Sequence, residues 1–174
     1  LKIAQLVPEK IERKIFSNIN IDQYFSVCPN EDQQVFQEEI NRFFYSKTID
    51  SVSLDFISKI RIIKDPIVNA FVFPDGTIFI TEKLIKQSES YDEIMGVIGH
   101  ELGHLKYRHH MQSLVRSSFV GLFIGALSGD FSVFLVDPSI VAGIYNLKYS
   151  RQLESQADIY AVEFLKKLEL SHQG

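Results

Sequence analysis

His100, Glu101 and His104 follow the order H-E-x-x-H. On an α-helix, positions four apart share a face, with Cβ atoms about 5–6 Å apart. Two imidazole nitrogens can then converge on one ion at about 2.0–2.1 Å. Glu101 lies one step round the helix, close enough to address a water on that ion without being placed as a ligand. The plainer alternative is an exposed helix face that happens to carry His and Glu. Against it, the motif sits inside an apolar helix beside Gly96, Gly99 and Gly103. Glycine in a helix interior costs roughly 1 kcal/mol relative to alanine. Such residues on a strongly patterned helix imply close approach by another element.

A catalytic zinc site takes three protein ligands and leaves a fourth position open. Downstream, Glu154 and Asp158 are again four apart and share a helix face. One of these carboxylates can bind the metal while the other accepts the second ring N–H of a ligand histidine and fixes its tautomer. Taken alone, the pair would read as a solvated acidic face. Coupled to H-E-x-x-H, the ligand reading is the stronger.

Three stretches together resemble the M48 family of zinc metallopeptidases, within the gluzincin group. They are Asn69-Ala70-Phe71, residues 92–109 and residues 150–158. The family pattern H-E-x-x-H-x-x-x-R-H reads here as residues 100–109, including Arg108 and His109. The pattern S-R-x-x-E-x-x-A-D reads as residues 150–158. The resemblance implies one zinc ion bound by His100, His104 and Glu154, with Glu101 polarising the attacking water. It implies that Asp158 stands behind a ligand histidine, and that Asn69 and Ala70 lie on an edge strand along which a peptide substrate binds. An exposed strand edge can pair with an extended peptide in just this way, although Asn69 also suits simple strand termination. His109 is read as a supporting residue, because it is five positions beyond His104 and off its face. His110 matches nothing in the pattern and is expected to face solvent. Tyr149 and Arg151 are weak candidates for stabilising an oxyanion and are better suited to packing or ion pairing.

The activity implied is that of a zinc-dependent metalloendopeptidase acting on peptide bonds of protein substrates. The resemblance places such a protein in the bacterial cell envelope, periplasmic or membrane-associated, in protein quality control. The alternative is a zinc-binding chaperone-like or membrane-associated module with low or gated protease activity.

The elements that must position these residues are legible from patterning. Residues 1–58 read as an N-terminal helical region packing on the core, and residues 59–174 as the catalytic core of a single domain. Pro8 opens a helix with Ile11, Ile15 and Phe16 on one face. Asn30 caps a second helix, with Gln33 at the capping-box position and Val35, Phe36, Ile40, Phe43 and Phe44 at core spacing. A short helix follows at 54–58. Residues 59–64, 67–73 and 77–80 are rich in β-branched and aromatic residues and predict three strands, with a hairpin at Pro74-Asp75-Gly76. Ser90 and Glu93 form a capping box that opens a helix running to about residue 116. A last helix covers about 147–170. The fold class is α+β and mainly helical, with a small sheet of about three strands beside the H-E-x-x-H helix; the resemblance makes it zincin-like.

The apolar runs 119–127 and 131–136 are broken by Ser128-Gly129-Asp130, and Asp137-Pro138 interrupts the chain before 140–145. None reaches the roughly 18 uninterrupted apolar residues of a membrane span. Residues 119–145 are expected to form a helical hairpin or flap beside the catalytic helix, with membrane association as a second use. The chain has a net charge of −4 and no long basic run, which argues against nucleic acid as a partner. Cys28 is the single cysteine, which excludes an intrachain disulfide and a Cys-rich zinc module. It reads as a small buried hydrophobe.

Overall fold

The computed structural model describes residues 8–17, 19–45, 60–116 and 138–168. The expected helix at 54–58 and the apolar runs 119–127 and 131–136 lie outside the described residues. In chain order the elements are α1 (Glu9–Ser17), a 3-10 turn (Ile21–Gln23), α2 (Asn30–Tyr45), β1 (Ile60–Ile63), β2 (Ala70–Val72), β3 (Ile78–Thr81), α3 (Glu82–Gln87), α4 (Tyr91–Lys106), α5 (His109–Arg116), α6 (Pro138–Tyr145) and α7 (Arg151–Lys167). The fold is α+β and mainly helical, as the patterning predicts.

The sheet has the order β1-β3-β2, with β1 parallel and β2 antiparallel to β3. The β2–β3 hairpin closes through Phe73 N–H to Thr77 O at 2.7 Å and Gly76 N–H to Phe73 O at 2.8 Å. Gly76 turns the chain at φ 93°, a conformation glycine adopts without a Cβ clash. Side chains alternate across the strands and divide the apolar residues between two cores. Ile60, Ile62, Val72, Ile78 and Ile80 face one cluster with Phe36, Ile40, Ile94, Ile98 and Phe164. Ile63, Phe71, Phe73 and Phe79 face the other, with Phe16, Met111, Val141 and Ile144. Cys28 is buried in the first cluster, as expected.

Two local readings are corrected within α2. The Gln33 side chain does not close a capping box. It reaches across to β1, accepting from Ile62 N–H at 2.9 Å and donating to Ile62 O at 2.7 Å. Val35 is exposed rather than core, because the face of α2 toward the sheet is the one carrying Phe36 and Ile40.

Helix α4 begins at the Ser90 cap, whose hydroxyl accepts from Glu93 N–H at 3.4 Å. The Glu93 carboxylate accepts from the Glu89 N–H at 2.9 Å, one residue earlier than an ideal capping box. The expected continuous helix to about residue 116 is instead two helices. Arg108 takes φ 54°, which ends α4 and redirects the chain into α5. A left-handed residue other than glycine costs roughly 1–2 kcal/mol. Here the cost is offset by ion pairing of the Arg108 side chain with the buried Glu12 of α1.

Helix α7 starts after the Ser150 cap and lies along α4. A Cβ at Gly99 would stand 2.7 Å from Phe164 Cδ1, and one at Gly103 would stand 2.9 Å from Ala157 Cα. These glycines are where the two helices meet. Gly96 is looser, at 3.8 Å from Leu165 Cδ1.

Candidate metal centre

The close α4–α7 packing brings His100, His104 and Glu154 together, although Glu154 is 50 residues beyond His104 in sequence. The two Nε2 atoms are 2.9 Å apart. Glu154 Oε2 is 3.3 Å from His100 Nε2 and 3.7 Å from His104 Nε2. Ligands at about 2.0–2.1 Å from a tetrahedral ion are separated by about 3.3 Å. The observed triangle has that size.

The hydrogen bonds around the triangle fix the ring protons. The Asp158 carboxylate accepts only, so the His100 Nδ1 at 2.9 Å from Oδ1 is the protonated nitrogen and Nε2 keeps its lone pair. Gln156 Oε1 likewise accepts from His109 Nε2 at 3.1 Å. His109 Nδ1 is then an acceptor, and takes the His104 Nδ1–H at 2.9 Å. This leaves His104 Nε2 with a lone pair as well. Two lone pairs and a carboxylate oxygen thus converge with no proton among them. Such a donor set repels itself unless a cation lies within it, and N₂O donors at this spacing suit a divalent ion of the zinc type. Burial, followed by the neighbouring His100, His109 and His110, holds His104 down at about 3, so its ring stays neutral at physiological pH. Burial also lowers His109, against the opposing Gln156 hydrogen bond.

Glu101 faces the same cleft from α4. Burial, and next the negative charge of Glu154, push its carboxyl up to about 8, while a hydrogen bond from the Val72 backbone opposes the shift. That contact ties Glu101 to the sheet edge. Asn69 O and Phe73 N–H bond inward, to Thr81 and Thr77. By the alternation of an antiparallel strand, the Ala70 and Val72 backbone groups turn to the outer edge. Asn69 is committed elsewhere: its N–H donates to Thr81 Oγ1 at 3.1 Å, and its side chain donates to Tyr145. Ala70 therefore keeps its backbone groups at the outer edge of the sheet, beside the cleft.

The cleft measures about 150 Å³ and is lined by Ala70, Val72, His100, Glu101, His104 and Glu154, together with Ile144, Tyr145, Leu147 and Tyr149. The Tyr149 ring stacks on His104 with centroids 4.0 Å apart and planes at 20°. Burial, then the charges of Glu101 and Glu154, raise its phenol well above the usual range. Arg151 is exposed.

The structure thus brings His100, Glu101, His104, Glu154, Asp158, His109 and Ala70 to one place, with Asn69 bordering it. His110 corrects the sequence reading. It is fully buried rather than solvent-facing, because the turn at Arg108 tucks it against Glu12, which accepts from its Nε2. Gln156 and Glu12 escaped the sequence reading. Gln156 occupies a variable position of its motif, and Glu12 lies 96 residues from Arg108, so neither had a local signal.

A mainly helical α+β fold, with a histidine pair on one helix and a carboxylate from a second beside a small sheet, is of the zincin type. The chain belongs to peptidase family M48, whose model matches residues 32–174. It is 27% identical over 84% of its length to the mitochondrial metalloendopeptidase OMA1 of Schizosaccharomyces pombe, covering 48% of that protein. It is 34% identical over 62% of its length to the metalloprotease YcaL of Escherichia coli, covering 44% of it. A match at 26% identity over 60% of the chain, covering 24% of the relative, is to a putative beta-barrel assembly-enhancing protease of Vibrio cholerae. The chain thus spans about half or less of the length of these relatives.

Proposed function

We propose that the protein is a zinc metalloendopeptidase with His100, His104 and Glu154 as metal ligands and Glu101 as the catalytic base. The observation that carries this reading is the convergence of the His100 and His104 Nε2 atoms and a Glu154 oxygen, with each ring's Nδ1 hydrogen-bonded on the far side to Asp158 or His109. His100, His104 and Glu154 would hold the zinc, which when bound would supply a Lewis acid to acidify water and polarise the scissile carbonyl. Ala70 pairs with the extended backbone of the substrate at the sheet edge. Glu101, held by the Val72 N–H, takes a proton from the attacking water and delivers it to the leaving amine. Asp158 and His109 keep the histidine rings in the tautomers that present Nε2.

The substrate class is extended protein segments, since an edge strand and an adjoining narrow cleft recognise backbone rather than a folded surface. The name of the Vibrio cholerae relative, a beta-barrel assembly-enhancing protease, supports a role in the cell envelope. No helix among the described residues is long and apolar enough to cross a membrane.

The test is metal analysis beside cleavage of an unfolded protein such as casein. One zinc per chain is expected, with activity lost to a chelator and restored by zinc. Glu101→Gln keeps the size of the side chain and removes the base. It should retain zinc and lose about 100-fold or more of the hydrolysis rate. Wild-type turnover in this variant would end the assignment of Glu101. A binding module without protease activity would leave casein uncut while still holding zinc.

A further inference from the structure

The catalytic helix ends in a polar cluster that the peptidase chemistry does not use. Glu12 of α1 is buried, and both of its carboxylate oxygens are engaged. Oε2 accepts from Arg108 Nε at 2.8 Å and from Arg108 Nη2; Oε1 accepts from His110 Nε2. His110 is fully buried, and its Nδ1 has no hydrogen-bond partner among the described residues, so Glu12 is its polar anchor. The two residues held by Glu12 flank His109, whose Nδ1 meets His104 Nδ1 at 2.9 Å.

Docking α1 does not by itself require a buried charge. Phe16 already packs against Phe73 in the aromatic cluster under the sheet, with ring centroids 6.2 Å apart. An all-apolar cluster at positions 12, 108 and 110 would avoid the desolvation cost of ionic groups, whereas an apolar residue at 12 alone would strand Arg108 and the buried His110. What the carboxylate adds is direction. It holds Arg108 in the left-handed conformation that separates α4 from α5. The orientation of that turn decides whether His109 reaches His104.

We propose that Glu12 is a positioning residue for the metal centre: through Arg108 and His110 it fixes the α4–α5 turn, and the turn sets His109 against His104. The proposal rests on the reading of His104 as a metal ligand. The N-terminal helix thereby becomes part of the apparatus that sets zinc affinity, although none of its described residues lines the cleft.

The test compares zinc affinity, by competition with a chromophoric chelator, in the wild type, Glu12→Gln, Glu12→Leu, His109→Ala and the double variant Glu12→Gln/His109→Ala. Thermal melts of the zinc-free proteins and ¹⁵N NMR of the histidine rings accompany it. Glu12→Gln should weaken zinc binding about 10-fold or more, the loss typical when a group behind a ligand is removed. It should also change the His104 tautomer pattern in the folded protein. Glu12→Leu removes the carboxylate and its hydrogen bonds to Arg108 and His110, and should weaken zinc binding at least as much as Glu12→Gln. In the His109→Ala background, Glu12→Gln should change zinc affinity by less than about twofold, because the route to His104 is already cut.

Unchanged zinc affinity and ring spectra in folded Glu12→Gln overturn the proposal. So does an equal loss in both backgrounds. Loss of soluble protein from both Glu12 variants while His109→Ala folds assigns Glu12 to stability alone, and overturns it as well. Wild-type protein that binds no zinc defeats instead the metal-ligand reading beneath it.

Discussion

Gly103 lies so close to Ala157 that a Cβ added at position 103 would stand 2.9 Å from the Ala157 Cα and 3.1 Å from its carbonyl oxygen. Gly103 immediately precedes His104, and Ala157 lies one helical turn after Glu154. The backbone contact between α4 and α7 therefore sets how far the carboxylate stands from the histidine pair. The spacing of the three donor groups in this fold depends on a missing side chain as much as on those present.

Gly103→Ala should push α7 away from α4, because the obstructing atoms are backbone and cannot rotate aside. Overpacking of this kind costs about 1–3 kcal/mol, and the widened ligand triangle should also lower zinc affinity. Gly96→Ala is the control. Its Cβ would meet Leu165 Cδ1 at an ordinary 3.8 Å, so the gain in helix propensity, up to about 1 kcal/mol, should appear as a higher melting temperature. Thermal melts of both variants, with and without zinc, check this. A melting temperature for Gly103→Ala equal to that of Gly96→Ala would contradict the assigned contact.

Glu154 and Asp158 should separate in their response to substitution. Glu154→Ala removes a proposed ligand, and should leave the chain with little zinc after dialysis and no measurable hydrolysis. Asp158→Asn retains a hydrogen-bond acceptor for His100 Nδ1 but not the charge, at a largely exposed position where solvent screens it. A loss of about tenfold in zinc affinity, at the small end of effects from groups behind a ligand, is expected. Zinc content and chelator competition distinguish the two. Similar losses in both would show that the carboxylates share the ligand role.

Zinc binding should release a proton at neutral pH. Surrounded by protein groups alone, Glu101 titrates at about 8, above its ordinary 4.5, so at pH 7 it is mostly protonated. Its ionisation is the disfavoured event in the folded chain, and the resulting stability cost grows as pH rises from about 4.5 and is complete above about 8. A dication in the cleft reverses that preference. His104, held at about 3, is already neutral over this range and contributes no proton. Calorimetry in buffers of differing ionisation enthalpy should give roughly one proton released per zinc at pH 7, declining as pH rises past about 8. Glu101→Gln should abolish this component. A release that persists unchanged in Glu101→Gln would place the proton elsewhere.

Periodicity and local turn chemistry account for what was legible. The strands at 60–63, 70–72 and 78–81, the Gly76 hairpin and the Ser90 cap follow from short-range signals, while the last helix, expected from about 147, starts at Arg151 after the Ser150 cap. H-E-x-x-H and the Glu154–Asp158 pair were readable because helical spacing converts sequence distance into geometry. The interruption at Arg108 was not, because its side chain pairs with Glu12, a residue 96 positions away that gives no local signal. The same distance hid the burial of His110. Gln33 satisfied a local capping pattern, yet its amide is spent on Ile62 of β1, where one side chain can answer both a donor and an acceptor.

The last prediction concerns Tyr149, whose ring covers His104 while its phenol lies in the field of Glu101 and Glu154. Two contributions can be told apart by substitution. Stacking belongs to the ring and is worth about 0.5–1.5 kcal/mol for a well-placed aromatic pair. Hydrogen bonding and proton exchange belong to the hydroxyl. Tyr149→Phe keeps the first and removes the second; Tyr149→Ala removes both and opens the cleft beside His104. If the ring braces the ligand, Tyr149→Phe should bind zinc within about twofold of the wild type, while Tyr149→Ala should lose about 2- to 12-fold, the stacking energy expressed as an affinity. Hydrolysis by zinc-saturated Tyr149→Phe then isolates the hydroxyl. Burial, then the charges of Glu101 and Glu154, disfavour ionisation of the phenol, so the hydroxyl is expected to act in its neutral form as a hydrogen-bond donor. Removal of that donor should lower kcat with little change in KM, and should leave the shape of the pH–rate profile unaltered. A profile whose basic limb moves in Tyr149→Phe would show instead that the phenol titrates during turnover, and would contradict its assignment as a fixed donor.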